Sequence, residues 1–136
     1  MSQTFQIAFL EAHKEAQKAL QKGLVPIGAV LVHHETILVK AHNGPSPLEH
    51  AEMLVLKKGF EKIGHQLNEC SLFVTLEPCQ MCLGAISLCH LKAVYFGAYN
   101  SKSIMNPHIP VYGGFYEKEN GQLIKKFFTD KRYEKI

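Results

Sequence analysis

The stretch that most constrains the fold of this 136-residue chain is Pro78-Cys79-Gln80-Met81-Cys82. A proline followed by two cysteines three residues apart predicts a helix that begins here and carries both thiols on one face of its first turn. A catalytic zinc ion usually takes three protein ligands and keeps a fourth position for water. The fold is therefore expected to bring a histidine from elsewhere in the chain against the start of this helix.

A second motif, His50-Ala51-Glu52, supplies that histidine together with an acid, and it follows a loop dense in proline. Residues two apart lie on opposite sides of a helix interior, so His50 and Glu52 reach one site only from a first helical turn. We expect one zinc ion per chain, held by His50, Cys79 and Cys82. Glu52, beside the metal and not bound to it, is predicted to be the catalytic residue that moves the proton of a water molecule.

Two other interpretations of the cysteine pair are weaker. A redox-active pair would need a thioredoxin context, and half of a four-cysteine structural zinc site would need a second pair. The remaining cysteines, Cys70 and Cys89, fit no ligand spacing and are predicted to be small core residues. Without an export signal, four cysteines favour thiols and metal ligands over a disulfide framework.

Composition sets broad limits on the class of protein. The length predicts one domain spanning residues 1–136, and 46% hydrophobic with 20% charged residues is typical of a soluble globular protein. No stretch approaches the roughly 20 apolar residues that a membrane span requires, and no signal peptide is visible. We therefore expect a cytoplasmic protein with no membrane contact.

The net charge of +3 is concentrated at the end of the sequence. A final helix there is predicted to contact nucleic-acid phosphates, although a solvated lysine-rich face explains the same pattern. From position 125 to the end, the basic residues are Lys125, Lys126, Lys131, Arg132 and Lys135.

Hydrophobic periodicity predicts a mixed α/β order of elements. A strand, a helix and a second strand in succession, from residue 71 to residue 98, predict a right-handed crossover with two parallel neighbours. His33 and His34 receive no role, because adjacent residues of a strand point to opposite faces. The predicted helices cover residues 4–22, about 50–60, 79–89 and about 117–132, and the predicted strands cover residues 27–33, 36–42, 71–76, 93–98 and 111–112.

A His-x-Glu motif followed by Pro-Cys-x-x-Cys is the signature of zinc nucleobase deaminases. The flanking segments resemble those of the bacterial tRNA adenosine deaminases, which belong to the cytidine and deoxycytidylate deaminase superfamily. The resemblance runs from the first helix to Phe127-Phe128, nearly the whole chain. The segments that carry it are Val25–Val30, Asn43, His50–Glu52, Val74–Cys82, Gly84-Ala85 and Phe96–Ala98.

This resemblance implies a three-layer α/β/α sandwich of the cytidine-deaminase type, with a mixed sheet of about five strands. It implies hydrolytic deamination of adenosine to inosine at the wobble position of a tRNA anticodon stem-loop, by a homodimer. Asn43 matches a position that contacts the substrate base, and Val25, Pro26 and Ala51 match the wall of its pocket. Glu77, which precedes the helix, is expected to be structural.

Two alternatives stay open at this point. One is a deaminase of a free base or nucleoside, of the guanine or cytosine type, which needs no basic surface. The other is a nonenzymatic, zinc-stabilised RNA-binding module, which Glu52 disfavours because a structural metal site needs no unligated acid beside it. Met81 between the cysteines and the basic end of the chain favour the tRNA substrate.

Overall fold

A computed structural model describes residues 2–64, 66–100 and 108–134, without the side chains of residues 132–134. The elements of these residues, in chain order, are α1 (Gln3–Gln21), β1 (Gly28–His33), β2 (Thr36–His42), α2 (Ala51–Ile63), β3 (Cys70–Leu76), α3 (Gln80–Leu88), β4 (Ala93–Ala98), β5 (Val111–Tyr112) and α4 (Glu117–Glu134). None of these helices combines the length and the apolar character that crossing a membrane would require.

The five strands form one mixed sheet in the order β2-β1-β3-β4-β5. Strand β1 is antiparallel to both β2 and β3, whereas β3, β4 and β5 run parallel. The predicted strand, helix and parallel strand are confirmed by β3, α3 and β4. Because β1 and β3 are antiparallel, the start of β1 lies beside the end of β3, with Ala29 opposite Val74.

Alternation along β1 divides the core into two layers. Val30 and Val32 face α1, where they pack with Phe9 and Phe73. Leu31 faces the other way, into a cluster that includes side chains of α2 and α3. Helix α4 lies with α1, so two helices cover each face of the sheet. The predicted three-layer α/β/α sandwich is confirmed.

Helix α1 crosses the start of β1 at very close range. A Cβ at Gly28 would collide with the backbone carbonyl oxygen of Ala12 and lie 2.7 Å from the backbone nitrogen of Ala16. The Gly28 amide also donates a hydrogen bond to Thr75 Oγ1, at 3.1 Å. These contacts lock α1, β1 and β3 together at one end of the sheet.

Helix boundaries differ from the sequence prediction by a few residues. Helix α2 continues to Ile63, and Gly64, with a left-handed φ of 77°, follows it as the C-cap. Gly59, inside α2, is a close-packing residue, because a Cβ there would collide with the Leu31 side chain. Helix α3 begins at Gln80, so Cys79 is its N-cap and lies just outside the helix.

The two unassigned cysteines differ in burial. Cys70 is fully buried, as predicted. Cys89, at the C-cap of α3, is half-buried and packs against the edge of the core, so its assignment as a core residue was only partly correct. Burial raises the pKa of both thiols above the ordinary value, with the Glu69 charge adding to the effect at Cys70.

The inference that His33 and His34 cannot share a face was wrong. The strands β1 and β2 form a hairpin, but His34 belongs to its two-residue turn and not to β1. His34 and Glu35 have left-handed φ angles of 50° and 33°. Strand alternation does not apply in such a turn, and the two imidazole rings lie 4.1 Å apart between centroids.

Candidate metal centre and active site

Two helix N-termini meet where β1 begins and β3 ends. His50 is the N-cap of α2 and Cys79 is the N-cap of α3, and both have extended backbone angles. Neither side chain caps its own helix, which leaves both free to point at each other. Nδ1 of His50 lies 3.5 Å from Sγ of Cys79 and 3.5 Å from Sγ of Cys82. The structure therefore brings together the three residues that the motifs singled out.

The size and chemistry of this group fit a metal ion. Its three ligand atoms all lie within 4.8 Å of one another. With typical Zn–S and Zn–N bond lengths, a tetrahedral site has an N···S edge of roughly 3.6 Å, close to the distances observed. Burial, and then the charges of Glu52 and Cys79, raise the pKa of the Cys82 thiol. A bound cation would offset this effect and hold the thiolate form.

Glu52 lies in the first turn of α2, beside the thiols. It is 3% exposed, and among the described residues its Oε1 has no hydrogen-bond partner. Burial raises the pKa of Glu52 to about 7, against partial lowering by hydrogen bonds from its own backbone amide and from the Cys82 thiol. A buried oxygen without a hydrogen-bond partner costs free energy of folding. Glu52 Oε1 is therefore a candidate to bind a water molecule or a substrate group.

Asn43 fixes the start of α2. Its Oδ1 accepts a hydrogen bond from the Ala51 amide at 2.8 Å, and its own amide donates to the Ile27 carbonyl at 3.1 Å. His50 leaves the first turn of α2 uncapped, so Asn43 satisfies one of its free N–H groups. The atom facing the Ala51 amide must be the acceptor oxygen, which leaves Nδ2 of Asn43 for another partner.

The loop from Gly44 to Glu49 is closed by Glu49, a residue that the sequence analysis missed. Glu49 Oε1 accepts from the Ser46 amide at 3.1 Å, and the Glu49 carbonyl accepts from the Gly44 amide at 2.8 Å. A signal was present, because Ser46 and Glu49 have the Ser-x-x-Glu spacing of a capping box. This closure holds the residue immediately before His50.

The predicted pocket residues lie at the same end of the sheet. Pro26 and Ala51 are buried and Val25 is half-buried. Glu77 is buried as well, and its Oε1 accepts from the Asn100 amide at 2.9 Å, which agrees with the structural role expected for it.

The basic residues of α4 do not all lie on one face. Lys125 and Lys126 are exposed, whereas Nζ of Lys131 lies 5.6 Å from the centroid of the Phe127 ring, within reach of a cation–π interaction. At about 100° per residue, Lys131 is turned roughly 140° away from Lys126. The side chain of Arg132 and all of Lys135 lie outside the described residues.

Comparison with known proteins agrees with the class that this fold and site define, the deaminases of nucleobases and nucleosides. The MafB19-like deaminase family matches residues 3–132. A tRNA-specific adenosine deaminase of Bacillus subtilis (strain 168) is 40% identical over 143 aligned positions, which cover 92% of this chain and 89% of the relative. Another from Agrobacterium fabrum is 35% identical, with coverages of 88% and 91%. The chain belongs to the family of the tRNA-specific adenosine deaminases.

Solved structures confirm the fold of the cytidine-deaminase type. A structure from studies of A-to-I editing by tRNA:A34 deaminases at the wobble position matches with a TM-score of 0.79 at 33% identity, and the match covers 85% of this chain and 97% of that one. The guanine deaminase of Bacillus subtilis matches with a TM-score of 0.67 at 28% identity, with coverages of 81% and 83%. The fold is thus shared by deaminases with different substrates.

Proposed function

We propose that this chain, acting as one domain over residues 1–136, is a zinc-dependent hydrolase that converts adenosine to inosine at the wobble position of a tRNA anticodon stem-loop. The observation that carries the proposal is the buried Glu52 Oε1, without a partner among the described residues, beside the group of His50, Cys79 and Cys82. The named function of the relatives supports the choice of substrate.

His50, Cys79 and Cys82 would hold the zinc ion, and one zinc per chain is expected to be lost in Cys79→Ala. Bound in an open site of this kind, zinc supplies a water molecule with a lowered pKa at neutral pH. Glu52 Oε1 would accept one proton of that water and pass it to the purine ring. Glu52 would then take the proton of the hydroxyl group formed at the reacting carbon and give it to the departing ammonia. Water and adenosine then yield inosine and ammonia, and Glu52 ends in its starting state.

The base would be recognised by Asn43. Its Oδ1 is occupied by the Ala51 amide, so the donor that remains for a substrate acceptor is Nδ2. Val25, Pro26 and Ala51 would form the apolar wall of the pocket. A single-stranded base, turned out of its stack, is the form that such a pocket accepts.

The alternative substrate is a free base or nucleoside of the guanine or cytosine type, which the likeness to a guanine deaminase keeps open. A side-by-side assay with an anticodon stem-loop, free adenosine, guanine and cytosine separates the two. We expect rapid inosine formation on the stem-loop and slow turnover of the others. Rapid turnover of a free base, with none on the stem-loop, would replace the tRNA proposal by the alternative.

The outer face of α3 supports the proposed homodimer. Leu88 is 82% exposed and Met81 is 37% exposed, and a Cβ at Gly84 would meet open space. A second copy would remove this apolar face from water. Analytical ultracentrifugation of Leu88→Glu is expected to show a monomer, whereas Leu10→Glu, at an exposed leucine of α1, should stay dimeric. The proposed tRNA substrate also implies that the enzyme acts in the cytoplasm. The exposed lysines of the enzyme would contact that RNA.

A further inference from the structure

A second cluster of metal-ligand side chains lies at the other end of the sheet. It consists of His33 at the end of β1, His34 in the turn that follows, and Glu69 immediately before β3. His33 pairs across the sheet with Cys70, the first residue of β3. Strand β3 has seven residues, so about 20 Å of strand separates this cluster from the metal centre at its far end.

The three side chains converge on one point. Oε2 of Glu69 lies 3.0 Å from Nε2 of His34 and 3.7 Å from Nε2 of His33. The three ligand atoms all lie within 4.8 Å of one another, as do the ligand atoms of His50, Cys79 and Cys82. The side chain of His33 is 30% exposed and those of His34 and Glu69 are more than half exposed, so the cluster is open to solvent on one side.

The turn conformation explains how the His34 ring reaches His33. Two-residue hairpin turns with positive φ at both central residues favour glycine, asparagine and aspartate. This turn has histidine and glutamate, at φ angles of 50° and 33°. Histidine occurs at positive φ more often than most residues do. The left-handed turn brings the His34 ring onto the same side as His33, so two adjacent residues contribute to one cluster.

We propose that His33, His34 and Glu69 bind a divalent metal ion, with Zn²⁺ as the preferred ion. Two imidazoles and one carboxylate form a donor set that binds zinc with a fourth position left for water. Imidazole ligands favour zinc, copper and nickel, whereas magnesium and calcium favour oxygen ligands. The ion would fasten the β1–β2 turn to the start of β3. The site stands on its own geometry and does not depend on the proposed substrate.

The test is a zinc count on the intact enzyme that already holds its first zinc ion. Equilibrium dialysis against increasing Zn²⁺, with bound metal measured by mass spectrometry, should show a second equivalent per chain. Two substitutions remove ligands with little change in the backbone. His34→Asn keeps a residue that tolerates positive φ, and Glu69→Gln keeps the side-chain size. Each is expected to weaken the second zinc at least tenfold and to leave the first in place.

His90 offers a matched control, because it is also an exposed histidine with a left-handed φ, of 54°, and it is not a member of the cluster. His90→Asn should keep the second equivalent at the affinity of the unsubstituted protein. An excess of Mg²⁺ should not displace the ion. The proposal is overturned by a count of only one zinc per chain, or by a second zinc that survives both His34→Asn and Glu69→Gln.

Discussion

The Asn43 side chain has two roles in the proposed pocket. Its Oδ1 holds the start of α2, and its Nδ2 would contact the substrate. The side chain is 6% exposed, and its Oδ1 accepts from the Ala51 amide at 2.8 Å. Asn43→Ala removes that acceptor and leaves the amide buried without a partner. A loss of this kind costs about 1–3 kcal/mol, which lowers the folding equilibrium constant by roughly 5- to 150-fold. His50 and Glu52 should also be less well held, because they flank Ala51.

Asn43→Asp separates the two tasks. A carboxylate oxygen can accept the same hydrogen bond from Ala51, at a helix N-terminus where negative charge is favourable. We therefore expect most of the stability to remain. The substitution replaces the Nδ2 donor by a second acceptor, so the contact with a substrate acceptor is lost. The expected fall in kcat/KM is at least about tenfold, with the zinc content unchanged.

Urea unfolding and stem-loop deamination, measured on both variants, check this reasoning. We expect Asn43→Ala to lose both stability and activity, and Asn43→Asp to keep its stability and lose activity. Wild-type turnover in Asn43→Asp would show that Nδ2 does not contact the base. An Asn43→Ala protein as stable as the wild type would show that the bond to Ala51 does not hold α2.

Four further variants address the catalytic acid, the packing and the basic surface. Glu52→Gln should keep one zinc per chain by metal analysis and lose nearly all turnover, and loss of zinc would contradict the role assigned to Glu52. Gly28→Ala should destabilise the protein by about 1–3 kcal/mol in urea unfolding, because the new methyl group meets the backbone of α1. Gly121→Ala, whose Cβ would meet Ala98 alone among the described residues, at 3.8 Å, should stabilise the protein by about 0.5–1 kcal/mol. Equal changes in stability for Gly28→Ala and Gly121→Ala would refute the packing argument. Replacing Lys125 and Lys126 by alanine should reduce the slope of log K for stem-loop binding against log salt concentration by roughly 0.7–0.9 per lost phosphate contact. An unchanged slope would exclude both lysines from the RNA surface.

The metal group was predictable because its signals are local. A proline before Cys79 marks a helix start, and spacings of two and three residues decide which side chains share a first turn. The parallel pairing of β3 and β4 followed from the crossover rule in the same way. These inferences need only neighbouring segments of the chain, whereas the pairing of His50 with the cysteines came from the combined motif.

Other features depended on the shape of turns and on packing at a distance. The proximity of His33 and His34 arises from a left-handed turn that the histidine and glutamate do not signal. The close packing at Gly59 depends on Leu31, which is distant in the chain. The ammonium group of Lys131 lies over the Phe127 ring, on a different side of α4 from Lys126, and a count of charges along the sequence does not show this.

The proposed pocket and the candidate metal centre are connected by hydrogen bonds at one end of the sheet. Because β1 is antiparallel to β2 and β3, its first residue lies beside the last residues of both neighbours. The Ile27 carbonyl accepts from the Asn43 amide, the Asn43 side chain accepts from the Ala51 amide, and the Gly28 amide donates to Thr75. These contacts join the proposed base-binding segment to the start of α2 and to the end of β3, which leads to α3 and the candidate metal ligands. A substitution that moves the pocket wall should therefore alter metal affinity as well as substrate binding, whereas the histidine cluster at the far end of the sheet shares none of these contacts.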